Sequence, residues 1–227
     1  KDDKKNQQGQ AQDQSKLSEQ QRQELTPLVR TVDEVMKSGT AGTFAVTTNK
    51  EGAATLAPDP AAVPLTWKND FLKATNNLIY VPFIVTTGTP ATGAEQAKLG
   101  SSVAGYLRVV PKGMNAPAPP PKDNKSKDAQ QYPFEDVYFI ELRAPAPGQL
   151  QKLTRAFAVP AGNYDVYLAL RDRSASGEKA AADAPVKITV MKQELTGPNF
   201  WSNEFTTSSL ILADKVEPLT GQLSPEQ

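Results

Sequence analysis

The spacing of hydrophobic residues changes along the chain, from almost none to a helical period and then to a period of two. Residues 1–24 are polar, with Leu17 as their one large apolar side chain, so we predict a flexible tail there. Helical spacing begins at Leu25 and predicts a helix over 25–39. Its apolar stripe, which we expect to pack onto the folded domain or alternatively to bind a partner, comprises Leu25, Leu28, Val29, Val32, Val35 and Met36.

Two capping patterns compete for the start of this helix. Thr26 can act as N-cap with Pro27 in the first helical position, and this is the start that we predict. Ser18 and Gln21 form an earlier capping box, which is the alternative. Gly39 lies just past the predicted end of the helix.

From residue 40 onward, the apolar residues alternate with polar ones, which is typical of strands with one buried face. The sequence of residues 40–62 predicts mostly loop, with a short strand near 44–47. The absence of alternating helices predicts a mainly β fold, a two-sheet antiparallel immunoglobulin-like sandwich of about eight strands with one N-terminal helix. The other extended runs are 64–74, 78–87, 102–111, 136–142, 150–160, 162–172, 185–192 and 205–214.

The sandwich is predicted to span residues 40–215, with a proline-rich loop at 112–133 and a tail or linker at 216–227. The loop contains Ala-Pro-Ala-Pro-Pro-Pro, which either presents a polyproline II ligand or is a solvated insertion. Thr75-Asn76-Asn77 predicts a hairpin turn. Pro82 lacks an amide donor, so its strand is expected at a sheet edge or at a bulge.

The strand over 162–172 has the clearest alternation. Tyr164, Val166, Leu168 and Leu170 alternate with Asp165, Tyr167, Ala169 and Arg171. We interpret this pattern as a sheet with one buried face and one wet face, so Tyr167 is expected to point outward into solvent.

Composition excludes several classes of chemistry. The chain has no cysteine and no histidine, so thiol and imidazole catalysis and ordinary zinc sites are excluded. The 25 basic and 25 acidic residues cancel, which argues against nucleic acid as a partner. No apolar run approaches the roughly 20 residues needed to span a bilayer.

Three weak catalytic or metal patterns remain. Ser176 and Lys179 have the spacing of some serine acylases, but they lie in a turn between two predicted strands. The segment 122–128 could bind calcium, although its lysines weaken a cation site. A glycosidase pair needs two facing carboxylates, and the candidates are Asp70, Glu135, Asp136 and Glu141. Surface solvation is the expected role of those carboxylates, so we assign no catalytic, cofactor-binding or metal residue.

Aromatic side chains are the remaining candidates for a binding site. Six aromatic residues could form a flat platform for sugar rings or a patch for a protein partner, and they are Trp67, Tyr80, Tyr106, Tyr132, Tyr167 and Trp201. From these we select Trp67, Trp201 and Tyr167 as the possible ligand platform. The alternative is that they pack into the core, as most large aromatic residues do.

The segments PAGNYDVYLALRD and LTGPNFWSNEFTTSSLILAD resemble the sandwich domains of exported soil-bacterial proteins, including proteins with GWxTD-type domains. The stretch NDFLKATNNLIYVPFIV is similar in the same way. The resemblance implies an exported β-sandwich and brings no catalytic residues with it. We therefore expect a non-catalytic interaction or structural module of the cell envelope, periplasmic or extracellular, with a protein or polysaccharide partner. A carbohydrate-binding module and a carboxylate-dependent hydrolase are the alternatives.

Overall fold

The computed structural model describes residues 17–48, 54–59, 63–87, 99–114, 132–142, 149–173 and 186–210. One helix, α1 (Glu19–Ser38), precedes ten strands in these ranges. The strands are β1 Gly42–Thr48, β2 Ala54–Pro58, β3 Leu65–Asn69, β4 Leu72–Lys73, β5 Leu78–Thr87, β6 Ser102–Pro111, β7 Phe134–Glu141, β8 Gln151–Pro160, β9 Gly162–Asp172 and β10 Val186–Gly197.

The strands form two antiparallel sheets. The large sheet has six strands in the order β2-β1-β10-β9-β6-β7. In the small sheet, β5 pairs with β3 and β4 along one edge and with β8 along the other. Helix α1 contacts β2, β6, β9 and β10 of the large sheet. The predicted mainly β fold with two antiparallel sheets and one helix is confirmed, with ten strands in the described residues where about eight were expected.

Helix α1 begins earlier than predicted. Ser18 is the N-cap, and its side chain and that of Gln21 form a reciprocal capping box, so the alternative start is the correct one. The predicted start at Thr26 is wrong, because Pro27 lies inside the helix. Residues 19–24 are therefore helical, and residues 1–16 of the predicted tail lie outside the described residues. The predicted apolar stripe packs on the sheet, with Leu28 and Val32 fully buried.

Both faces of the large sheet are buried. Val166 and Leu168 on β9 face the small sheet, as predicted. The other face of β9 was expected to be wet, and that prediction is wrong, since Tyr167 is 1% exposed and Asp165 is 2% exposed. The reason is that the apolar stripe of α1 covers the central strands of this face, so the fold has three layers.

The proline in β5 is accommodated by its neighbours. The expectation that Pro82 marks an edge strand is wrong, because β5 is the central strand of the small sheet. Proline has no N–H, and the side of Pro82 on which other residues would donate an N–H faces the gap between β3 and β4. There the Asp70 amide donates to the Pro82 carbonyl oxygen at 3.1 Å. Because the partner strand is interrupted at this position, Pro82 is accommodated without the bulge that was the other expectation.

One other predicted connection is seen, and two predicted segments differ from the structure. Asn76 and Asn77 both have positive φ, 57° and 58°, in the hairpin between β4 and β5, as the sequence indicated. Residues 40–62 contain β2 as well as β1, so the prediction of mostly loop there is wrong in part. The predicted last strand, 205–214, is not confirmed, because residues 205–210 are not in a β-ladder. The Ser209 amide does donate a hydrogen bond to the Phe71 carbonyl oxygen beside β4. Residues 211–214 lie outside the described residues.

The chain crosses between sheets at the turn that joins β8 to β9. Tyr164, just inside β9, donates its hydroxyl hydrogen to the Pro160 carbonyl oxygen at 2.9 Å. Gly162 leaves room for this ring, because a Cβ there would lie 3.2 Å from the Tyr164 hydroxyl oxygen. The contact fixes the angle at which the chain passes from the small sheet to the large one.

We expect Tyr164→Phe to lower the free energy of unfolding by about 1 kcal/mol, because the Pro160 carbonyl loses its partner in a part-buried position. Denaturant unfolding measures the change. Tyr80→Phe is the matched control, since Tyr80 is 43% exposed and its hydroxyl can bind water. Equal losses for the two variants would show that the Tyr164 hydrogen bond does not stabilise the crossing.

Candidate interaction surface

The outer face of the small sheet carries apolar side chains where solvent-facing residues are usually polar. Successive side chains of β5 point to opposite faces of the sheet. One set, which includes Val81 and Phe83, is buried between the sheets. The other set points outward, and Tyr80 is 43% exposed and Ile84 39% exposed. Pro82 lies between them and is half-buried.

Neighbouring strands extend this surface to both sides. Across β8, Ala158 lies opposite Tyr80 and Ala156 lies opposite Pro82. On β4, Leu72 lies opposite Tyr80. We call this surface the apolar face, and it consists of Leu72, Leu78, Tyr80, Pro82, Ile84, Ala156 and Ala158.

One end of the apolar face is cationic. Lys68 lies opposite Ile84, and Lys152 lies opposite Thr86, so two exposed lysines flank this end of β5. The four strands of the small sheet also contain Lys73 and Arg155 and no acidic residue. Asp70, between β3 and β4, is exposed and is the one carboxylate of the segment that joins them. The small sheet is therefore basic within a chain whose net charge is zero.

The edge of β8 that faces away from β5 pairs with no other described strand, and it is less suited to binding than the face of the sheet. Arg155 lies on this edge strand at a position whose partner, Phe83, is in the core. Its guanidinium donates to the Thr154 carbonyl oxygen at 3.0 Å and lies over the Tyr138 ring at 5.4 Å. A charged residue at such a position protects a sheet edge against the addition of another strand. The open surface is thus the face of the sheet and not this edge.

The three aromatic residues singled out from the sequence do not form one platform. Tyr167 is buried under α1 on the large sheet, so its predicted exposure is wrong. Trp67 and Trp201 are partly buried and pack against the core between the sheets. Trp67 stacks on Phe83 with ring centroids 4.1 Å apart, and Trp201 lies edge-on to Phe200 at 6.1 Å.

The candidate carboxylates do not form a facing pair. Glu135 and Glu141 lie on one face of β7, six residues and about 20 Å apart. Asp136 points to the opposite face. Asp70 lies beside β5 on the side opposite β8, whereas β7 contacts β8. Asp70 therefore does not face the carboxylates of β7. Glu135 is moreover bound by Arg108 at 3.3 Å.

The densest group of charges lies between α1 and the large sheet. Arg108 is 3% exposed, and its guanidinium binds Asp33 of α1 at 2.5 Å and Glu135 of β7. Its Nε donates to the Tyr106 hydroxyl at 2.8 Å, and it lies over the Tyr132 ring at 4.3 Å. The cluster joins the helix to two strands and to the end of the proline-rich loop.

The electrostatics of this cluster favour a structural role. Burial, together with the negative charge of Glu135, raises the pKa of Tyr106 well above its usual value. Tyr106 therefore stays neutral and donates to Glu135 while it accepts from Arg108. A second ion pair, Glu24 with Arg173 at 2.8 Å, holds the first half of α1. The two contacts together fix the helix on the sheet.

Several sequence-based candidates lie outside the described residues. These are the proline run of the predicted loop, the possible calcium segment at 122–128, and Ser176 with Lys179. Within the described ranges, no group of three or more acidic residues is placed to hold a metal ion. The same ranges contain no helix that is both long and apolar enough to cross a membrane.

Sequence reasoning included Tyr80 among its aromatic candidates but missed the rest of the apolar face, although a signal was present. The run LIYVPFIV in β5 is apolar at eight consecutive positions, a pattern typical of strands buried on both faces. The small sheet is covered on one face by the large sheet, so the second apolar set faces outward. Comparison with family models, curated proteins and solved structures finds no match for this chain.

Proposed function

We propose that the protein is a non-catalytic interaction module that binds a partner through the apolar face of the small sheet. The exposure of Tyr80 and Ile84 on either side of Pro82 carries this proposal. Contiguous apolar surface is costly to leave in water, and where soluble proteins retain it, it commonly marks a binding site.

The rest of the architecture supports a binding role. Among the described residues, α1 covers the central strands on the outer surface of the large sheet, whereas Tyr80 and Ile84 are exposed on the outer face of the small sheet. The ion pair of buried Arg108 with Asp33 and the part-buried pair of Arg173 with Glu24 hold the helix in place. A rigid sheet presents its side chains without the ordering entropy that a loop would lose on binding.

An immunoglobulin-like connectivity is part of the proposal. The chain passes from β8 in one sheet to β9 in the other, and the Tyr164 hydroxyl binds the Pro160 carbonyl at that corner. A tyrosine at the corresponding corner is a hallmark of immunoglobulin-type sandwiches. Domains of this type commonly act in recognition at cell surfaces, which fits the proposed export to the envelope.

Photo-crosslinking from the apolar face tests the proposal. A benzophenone amino acid is placed at Tyr80 or at Ile84, and the protein is irradiated with an envelope extract of the source organism. We expect adducts that unlabelled wild-type protein abolishes and that the Ile84→Lys variant fails to abolish. Thr55 on β2, which is exposed on the large sheet, is the control position. Binding through this face would be contradicted if the probe at position 55 gave the same adducts in equal amount, or if the Ile84→Lys variant competed fully.

A further inference from the structure

We infer that the partner bound by the apolar face is a protein segment that combines apolar side chains with carboxylates, an inference that rests on the proposed function. The apolar face is polarised along β5. Leu72, Leu78 and Tyr80 form its apolar end, and Lys68 and Lys152 flank the other end next to Ile84.

The spacing of the two ends sets the size of the partner segment. Tyr80 and Ile84 are four residues apart on one strand, which corresponds to about 13 Å. An extended segment covers that distance with about four residues, and a helix covers it with about nine. A short amphipathic segment therefore spans from the apolar end to the lysines.

Charge complementarity selects carboxylates for the polar end of that segment. Lys68 and Lys152 lie on the two strands that flank β5, and none of the four strands of the small sheet contains an acidic residue. Opposed charges across an interface raise the association rate and exclude partners of like charge. An acidic segment meets both lysines, and a basic one is repelled.

Other occupants fit this surface less well. A second copy of the chain would bring its own lysines, and the small sheet offers Asp70, beside Pro82, as the one carboxylate to meet them. A sugar ring stacked on Tyr80 would need hydrogen-bonding groups beside it, but its neighbours across the strands are Leu72 and Ala158. An anionic membrane shares the attraction to lysine, so lipid vesicles enter the test as a competing probe.

Selection of random 14-residue peptides displayed on phage tests the inference with the full chain. We expect wild-type protein to enrich peptides that contain apolar residues and an excess of Asp and Glu over Lys and Arg. Tyr80→Ser should weaken the selected peptides about tenfold or more. The double variant Lys68→Glu/Lys152→Glu should enrich basic peptides instead, and salt should weaken binding to the wild type. Circular dichroism confirms that each variant is folded.

The possible results separate the two proposals. Tyr80-dependent peptides without an acidic excess, or a double variant with unchanged preference, would overturn the acidic partner and leave the docking face standing. Selections that yield no Tyr80-dependent peptide would count against the docking face itself. Tyr80-dependent binding to phosphatidylglycerol vesicles that is tighter than binding to any selected peptide would replace the protein partner with a membrane surface.

Discussion

Replacing Arg108 with methionine should lower the free energy of unfolding by about 3 kcal/mol, because it breaks a buried ion cluster by removing one side of it. The guanidinium is almost fully buried and binds Asp33 and Glu135 at 2.5 and 3.3 Å. It also donates to Tyr106 and lies over the Tyr132 ring. Methionine preserves much of the volume but supplies none of these donors, so Asp33 and Glu135 lose the guanidinium and the Tyr106 hydroxyl keeps only its bond to Glu135. Guanidinium chloride unfolding monitored by circular dichroism measures the loss.

Lys112→Met is the matched control for Arg108→Met. Lys112 forms an ion pair with Glu194 at 2.6 Å. The hydrogen bond from the lysine and its positive charge lower the pKa of the Glu194 carboxyl. Both side chains are more than half exposed. Ion pairs between exposed side chains contribute little because water and salt screen them, so Lys112→Met should have a small effect. A loss for Arg108→Met no larger than that for Lys112→Met would show that the buried cluster does not hold α1 on the sheet.

Strand positions were predictable because a period of two is a local property of the sequence. The run 162–172, in which the alternation is clearest, has the bounds of β9. The predicted hairpin at 75–77 is present for the same reason, since two asparagines tolerate the positive φ of a tight turn. Such features depend on neighbouring residues alone.

The covering of each sheet face was not predictable from local pattern. Asp165, Tyr167 and Arg171 alternate with apolar residues, which is also the pattern of a strand with a wet face. The structure buries Tyr167 because a helix more than 100 residues earlier in the chain packs across it. Polar groups are tolerated there because they find partners, as Asp165 does with Lys192 at 3.1 Å.

The candidate site was missed for a related reason. Trp67 and Trp201 drew attention as large aromatic residues, and both pack against the core between the sheets. Tyr80 was among the six aromatic candidates but was not selected, and Ile84 lies with it in a run that is apolar throughout. Which half of that run faces outward depends on the second sheet. Which residues of β5 are exposed therefore depends on whether one or both faces of its sheet are covered, and this is set by the assembly of the layers.

Adjacent alanine substitutions in β5 test that assignment of faces directly. Phe83 is 1% exposed, stacks on Trp67 at 4.1 Å and lies 5.9 Å from the Phe157 ring. Phe83→Ala should therefore lower the free energy of unfolding by about 3–5 kcal/mol through the lost burial and the cavity. Ile84→Ala, one residue along on the apolar face, should cost about 1 kcal/mol or less.

Denaturant unfolding and Trp67 fluorescence in a Trp201→Phe background provide the two measurements. We expect red-shifted Trp67 emission in Phe83→Ala, because the stacked ring that shields Trp67 is removed, and unchanged emission in Ile84→Ala. Comparable stability losses for the two variants would mean that both faces of β5 are covered in the folded protein. The apolar face would then belong to the core and would not be open to a partner.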